Sequence, residues 1–157
     1  MAEALITPTA SLTSVTSVLF ACTFNAIRSP MAAGIMRHCH GRHIYVDSAG
    51  VREGDLDPFA VTVMDEIGID ISCHRPKTFD DLEDTSFDLV ITLSPESQHR
   101  AVEMTRTMAC DVEFWATFDP TAVHGSREVM LDAYRQVRDG LQRRIMERFP
   151  LTRMSDL

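Results

Sequence analysis

The segment Phe87–Leu93, FDLVITL, is apolar at nearly every position. A strand with one wet face alternates apolar and polar residues, whereas one without alternation is covered on both faces. The segment therefore predicts a central parallel strand, and with it a layer of helices on each side of a sheet. Further strands are expected over 15–21, 44–47 and 110–115. Helices are expected from Ser29 to about His40, with Gly41 as the residue past its end, and from Asp57-Pro58 to Gly68. Two more are expected from Ser94-Pro95 to Met108 and over 126–149, with a short helical turn over 78–82. In the last helix Val129, Ala133, Val137, Leu141 and Ile145 form one apolar line, expected to face the core. Right-handed crossovers give a four-stranded sheet of order 2-1-3-4, which puts the loop after strand one at a topological switch point. The prediction is one three-layer α/β domain over 15–150, with a flexible extension over 1–14 and a tail over 151–157.

The residues at that switch point are SVLFACTFNAIRSPM. An apolar strand ends in Cys22, five residues follow (Thr23, Phe24, Asn25, Ala26, Ile27), and Arg28-Ser29-Pro30 opens a helix. A tight loop there turns its backbone N–H groups, and the positive end of the helix, toward one point. Arg28 adds a planar two-pronged donor. Asn25 suits a loop that must visit positive φ. The result is a cradle for a tetrahedral oxyanion with a thiol at its floor, and a thiolate below a bound phosphate can attack phosphorus in line. A leaving alcohol needs a proton that the thiolate cannot supply. Asp119, fixed by Pro120 in the loop after the last strand, is the candidate acid.

The loop, CTFNAIRS, resembles the phosphate-binding loop of the low-molecular-weight protein tyrosine phosphatase superfamily, whose pattern is close to C-x-G-N-x-C-R-S and which includes a branch of arsenate reductases. Cys22, Asn25, Arg28 and Ser29 match; Phe24 stands where glycine is usual and Ile27 where a second cysteine is usual. The resemblance extends to Ser48-Ala49-Gly50, read as a small-residue turn beside the loop, to Gly68-Ile69-Asp70-Ile71 with His74, and to Asp119-Pro120. It implies Cys22, Arg28 and Asp119 as catalytic residues and the loop from Thr23 to Ser29 as the substrate-binding segment. It also implies that His74 orders the loop. Aromatic residues usually follow the Asp-Pro pair; here Thr121 and Ala122 do.

A formal net charge of −8 argues against nucleic acid or an anionic membrane as partner. Oxyanion affinity must then come from local geometry. Cys22, Cys39, Cys73 and Cys110 are too scattered for a disulfide framework or a zinc knuckle, which fits a reduced cytoplasmic setting. No cofactor or metal is called for, and His38 and His40 give no metal-binding pattern. The expected function is a cysteine-dependent phosphatase acting on phosphotyrosine-like or other aryl phosphate monoesters, in a phosphorylated protein or a small ester. The alternative is an arsenate reductase that uses the same loop with an external thiol donor. In the thioredoxin-coupled relatives a cysteine relay follows strand three, where this chain has Ser94. A third reading, phosphate binding without turnover, is motivated by Phe24 and opposed by Cys22, Arg28 and Asp119 together.

Overall fold

The computed structural model of the protein describes residues 15–151; the extension expected over 1–14 and most of the expected tail lie outside them. Four parallel strands, β1 (Ser17–Cys22), β2 (Tyr45–Gly50), β3 (Leu89–Thr92) and β4 (Asp111–Phe114), form one sheet in the order β2-β1-β3-β4. The helices are α1 (Arg28–His40), α2 (Pro58–Asp65), α3 (Pro95–Met104) and α4 (Arg127–Arg148), with 3-10 turns at Phe79–Asp81 and Pro120–Ala122.

β1 shows why the sheet is covered on both faces. Its side chains alternate between two cores. Val18, Phe20 and Cys22 join the larger one, with Met31 and Ile35 of α1, Val63 of α2 and Leu141 and Ile145 of α4. Leu19 and Ala21 join the smaller one, with Val90 of β3 and Ala101 and Met104 of α3. Phe20 and Leu19 are fully buried, and each contributes about 1.5–3 kcal/mol by leaving water. Trp115, just past β4, meets Phe20 edge-on with ring centroids 6.2 Å apart.

The helix starts follow their capping residues. Asp57 Oδ1 accepts from Phe59 N–H at 2.8 Å with Pro58 in the first turn, and Ser94 and Ser126 cap α3 and α4 in the same way.

Four details differ from expectation. Ser48-Ala49-Gly50 is not a turn: β2 runs on through it, pairing Phe20 with Ser48, Ala21 with Ala49 and Cys22 with Gly50. Small residues are needed there because the phosphate loop lies against the strand end, not because the chain reverses. Gly41 has φ −60°, an ordinary right-handed value, so it does not close α1 as a left-handed residue. The left-handed glycine is Gly68 past α2, with φ 77°. α3 ends at Met104 rather than Met108, the following residues forming turns. Along α4 the expected apolar line is only half right. Val137, Leu141 and Ile145 are buried, but Val129 is 51% exposed, and Leu131 and Tyr134 are buried instead. A four-residue step overshoots one helical turn by about 40°, so the line drifts off the core within two or three steps.

Candidate active site

Cys22 is the last residue of β1 and Arg28 the first of α1, so strand and helix fix both ends of the loop. Its carbonyls point outward. Thr23 O accepts from Val51 N–H at 2.8 Å and Arg52 N–H at 2.9 Å, and Ala26 O accepts from Asp57 N–H at 3.2 Å. Asn25 O accepts from His74 Nε2 at 3.1 Å. Among the described residues the N–H groups of residues 23–27 have no acceptor in the protein. α1 begins without a side-chain cap and without an acidic residue in its first turn. Unpaired N–H groups at an uncapped helix N-terminus are what an oxyanion would satisfy.

Asn25 holds the loop in this shape. Its φ is 55°, a left-handed value that asparagine tolerates better than most residues. Its Nδ2 donates to Ser29 Oγ at 2.8 Å and Ser48 Oγ at 2.9 Å, while Oδ1 accepts from Lys77 N–H at 3.0 Å. Lys77 is anchored in turn by an ion pair of 2.6 Å to Asp47. His74 donates to a carbonyl, so its proton is on Nε2. Burial holds the His74 pKa below the usual imidazole value, which keeps the ring neutral in that role. Gly50 gives the loop its space: a Cβ there would stand 2.7 Å from Asn25 N, 2.8 Å from Phe24 C and 2.9 Å from Thr23 O.

The Cys22 thiol is 2% exposed, and Ser29 Oγ lies 2.9 Å from its sulfur. Because Asn25 already donates to Ser29 Oγ, the Ser29 proton is free to point at sulfur. Ser29 is fully buried, and its side chain lies between Asn25 and the Cys22 sulfur. The Thr23 side chain also turns away, donating to Ser94 Oγ at 3.1 Å. Phe24, Ala26 and Ile27 line a cavity of about 390 Å³ together with Cys22, Arg28 and Asp119. Arg28 Nη1 donates to Thr117 O at 3.1 Å, which leaves most of its donors for an oxyanion. Asp119 caps the second 3-10 turn through Oδ1, 3.0 Å from Thr121 N and 2.7 Å from Thr121 Oγ1; its other oxygen has no hydrogen-bond partner among the described residues.

The structure thus brings Cys22, Arg28 and Asp119 to one cavity. It also adds residues that sequence reasoning missed. Asp57 lines the cavity and accepts from Tyr134 Oη at 2.7 Å, tying α2 to α4. Burial, together with the neighbouring carboxylates Asp57 and Asp119, pushes the Tyr134 phenol far up, so it remains a donor. Lys77 carries no signal in the sequence, and Ser94 reads there as a helix cap and as the position of a missing relay cysteine, not as a neighbour of the loop. Among the described residues no group of three or more His, Cys, Asp or Glu side chains is placed to hold a metal ion.

Comparison with known proteins shows what the chain is similar to. The family model described as low molecular weight phosphotyrosine protein phosphatase matches residues 17–149. An arsenate reductase of Bacillus subtilis is 34% identical over 130 residues, covering 83% of this chain and 92% of that protein. One from Halalkalibacterium halodurans is 35% identical over 130 residues, covering 82% and 91%. Among solved structures, an arsenate reductase in its phosphate-binding state superposes with a TM-score of 0.66 at 27% identity, covering 84% of this chain and 95% of that one. The YwlE arginine phosphatase with a phosphorylated active-site serine superposes with a TM-score of 0.66 at 26% identity, covering 82% and 90%.

Proposed function

The chain belongs to the low molecular weight phosphotyrosine protein phosphatase family, and from that premise we propose that it is a phosphatase of aryl phosphate monoesters working through a cysteinyl-phosphate. The observation that carries this reading is the shared cavity of Cys22, Arg28 and Asp119.

The loop N–H groups and Arg28 hold three non-bridging oxygens of the phosphate. The Cys22 thiolate attacks phosphorus; the S–P bond forms as the bond to the leaving oxygen breaks. Asp119, protonated, gives its proton to that oxygen and the alcohol departs. Asp119, now a carboxylate, takes a proton from water as the water oxygen attacks phosphorus. The S–P bond breaks and the sulfur leaves as thiolate, which the Ser29 hydroxyl stabilises. Donors fixed before the reaction stabilise the charge that develops on the equatorial oxygens.

The relatives named arsenate reductase motivate a second reading. The same cradle fits arsenate, but reduction needs thiols to resolve the arsenylated cysteine. Ser94, not a cysteine, touches the loop through Thr23. Cys39 lies near the far end of α1, about 16 Å from its start at 1.5 Å per residue. Cys110 precedes β4, at the edge of the sheet away from Cys22. Burial pushes both of these thiols up. Cys73 is exposed and lines a different pocket, with Arg37 and His74, from the one that holds Cys22. A reductase built on this chain would therefore take its reducing equivalents from an external thiol.

The deciding experiment is side-by-side turnover of an aryl phosphate, an N-phosphorylated guanidine and arsenate, the last with several thiol donors. The proposal expects aryl phosphate hydrolysis that Cys22→Ser abolishes. Arsenate reduction without aryl phosphate turnover would replace it by the second reading.

A further inference from the structure

The cavity above Cys22 has one aromatic side chain among its described lining residues, and it comes from the phosphate loop itself: Phe24. We infer that Phe24 is the specificity-determining platform against which a flat, aromatic leaving group lies. The inference rests on the phosphatase reading above and names the part of the site that selects the substrate.

Three observations carry it. Phe24 is 46% exposed although it sits between two buried neighbours of the loop, Thr23 and Asn25. An aromatic side chain that both lines the cavity and stays open to solvent is accessible to a group bound there. Second, the chain makes room for it. A Cβ at Gly54 would stand 2.8 Å from Phe24 Cβ, 3.1 Å from Phe24 O and 3.5 Å from Phe24 Cδ1. Gly54 is not in the left-handed region, so its lack of a side chain serves space rather than backbone conformation. Phe24 and Gly54 therefore form a matched pair: a side chain at 54 would press on the root of the Phe24 side chain and its carbonyl, with the ring edge in ordinary contact beside them. Third, the acid turn gives the cavity Asp119 and Thr121 but no ring. Phe118 is 59% exposed but lines a different groove, with Val129 and Ala133 of α4. Ile27 and Leu56 extend the apolar wall on which Phe24 stands.

An aromatic group carried on phosphorus would thus meet the Phe24 ring as well as the apolar wall, while an alkyl group would gain only its apolar contacts. Aromatic pairs gain from offset or edge contacts beyond their buried area.

The test uses binding rather than turnover. Phenylphosphonate and ethylphosphonate share the phosphonate dianion and differ only in the group carried, and neither is hydrolysed at its C–P bond. Titration calorimetry on the reduced wild-type protein should show phenylphosphonate binding about 10-fold tighter than ethylphosphonate, the scale of one aromatic contact plus its burial. In Phe24→Ala the ratio should fall to about 1–2, and in Phe24→Trp it should persist. Phe24→Leu, which keeps apolar bulk on the loop but removes the ring, should lower the ratio as well, and it carries the test if Phe24→Ala does not fold. Equal binding of the two phosphonates by the wild type overturns the inference. So does a ratio that survives in Phe24→Ala or Phe24→Leu while both affinities drop together, since that marks Phe24 as a shaper of the loop alone. Phenyl phosphate turnover by the same wild-type preparation reports separately on the phosphatase reading.

Discussion

Ser29 Oγ lies 2.9 Å from Cys22 Sγ, and it does so because Asn25 Nδ2, 2.8 Å away, fixes the hydroxyl from behind. In the proposed mechanism the Ser29 hydroxyl, its oxygen already accepting from Asn25, donates to the Cys22 sulfur. A hydrogen bond to an anion matters most when the anion is forming, which here is the second step, when sulfur leaves phosphorus.

Ser29→Ala should therefore slow breakdown of the cysteinyl-phosphate more than its formation. The loss of one hydrogen bond to a charged group, about 1.5–3 kcal/mol, corresponds to roughly 10–100-fold in rate. Rapid mixing with an aryl phosphate should reveal a burst of phenol that the wild type lacks or shows more weakly. An unchanged steady state with no burst would place the Ser29 proton elsewhere.

Asp119→Asn should slow hydrolysis by roughly 10²–10⁴-fold, the usual range for a positioned acid. The defect should shrink for esters of strongly acidic phenols, whose oxygen needs little protonation, and a plot of rate against leaving-group acidity should steepen. A uniform loss across leaving groups would remove Asp119 from the role of acid.

Gly50→Ala places a methyl group under 3.0 Å from three backbone atoms of the loop, and backbone cannot swing aside as a side chain can. The loop must shift as a unit, at a cost of about 1–3 kcal/mol in stability. Aryl phosphatase activity should fall by at least about 100-fold, because a misplacement near 1 Å spoils in-line geometry. Near-normal kcat would show that the loop adapts.

Acid should loosen the loop through His74. Burial lowers its pKa in the folded state, so below about pH 6.5 the unfolded chain binds more protons than the folded one. Stability should then fall as pH drops from the unfolded imidazole value toward the lower folded one. Protonation also leaves Nδ1 with a second donor in a half-buried place. Thermal melts between pH 7.5 and pH 5.5 should show a steeper decline for the wild type than for His74→Gln. Parallel declines would assign the pH dependence to other groups.

The sequence determined the sheet, the switch point and the identity of the loop, because each depends on local pattern. Phe87–Leu93 lacks alternation, so it had to be a central strand, and Leu89–Thr92 is one, covered on both faces. Cys22, Arg28 and Ser29 stand in one short stretch whose strand and helix fix their placement, so their arrangement was legible without the fold. Asp119 could be named from Asp-Pro chemistry, but only the sheet order brings residue 119 to the cavity of residue 22.

What the tertiary structure alone decided is which side chains share space across long stretches of chain. Gly50 against the loop backbone, Gly54 beneath Phe24, Tyr134 on Asp57 and Thr117 O on Arg28 all join segments remote in sequence. Ser48-Ala49-Gly50 reads as a turn in isolation, since small residues favour turns; pairing with β1 makes it a strand, because backbone hydrogen bonds to a neighbour outweigh local propensity. The α4 line failed for a related reason. Spacing of four residues gives a face only over a short span, and which part of that face is buried depends on where α1 and α2 lie against it. Local pattern fixes elements and their chemistry; packing between distant segments fixes contacts, and contacts assigned Phe24 its open seat.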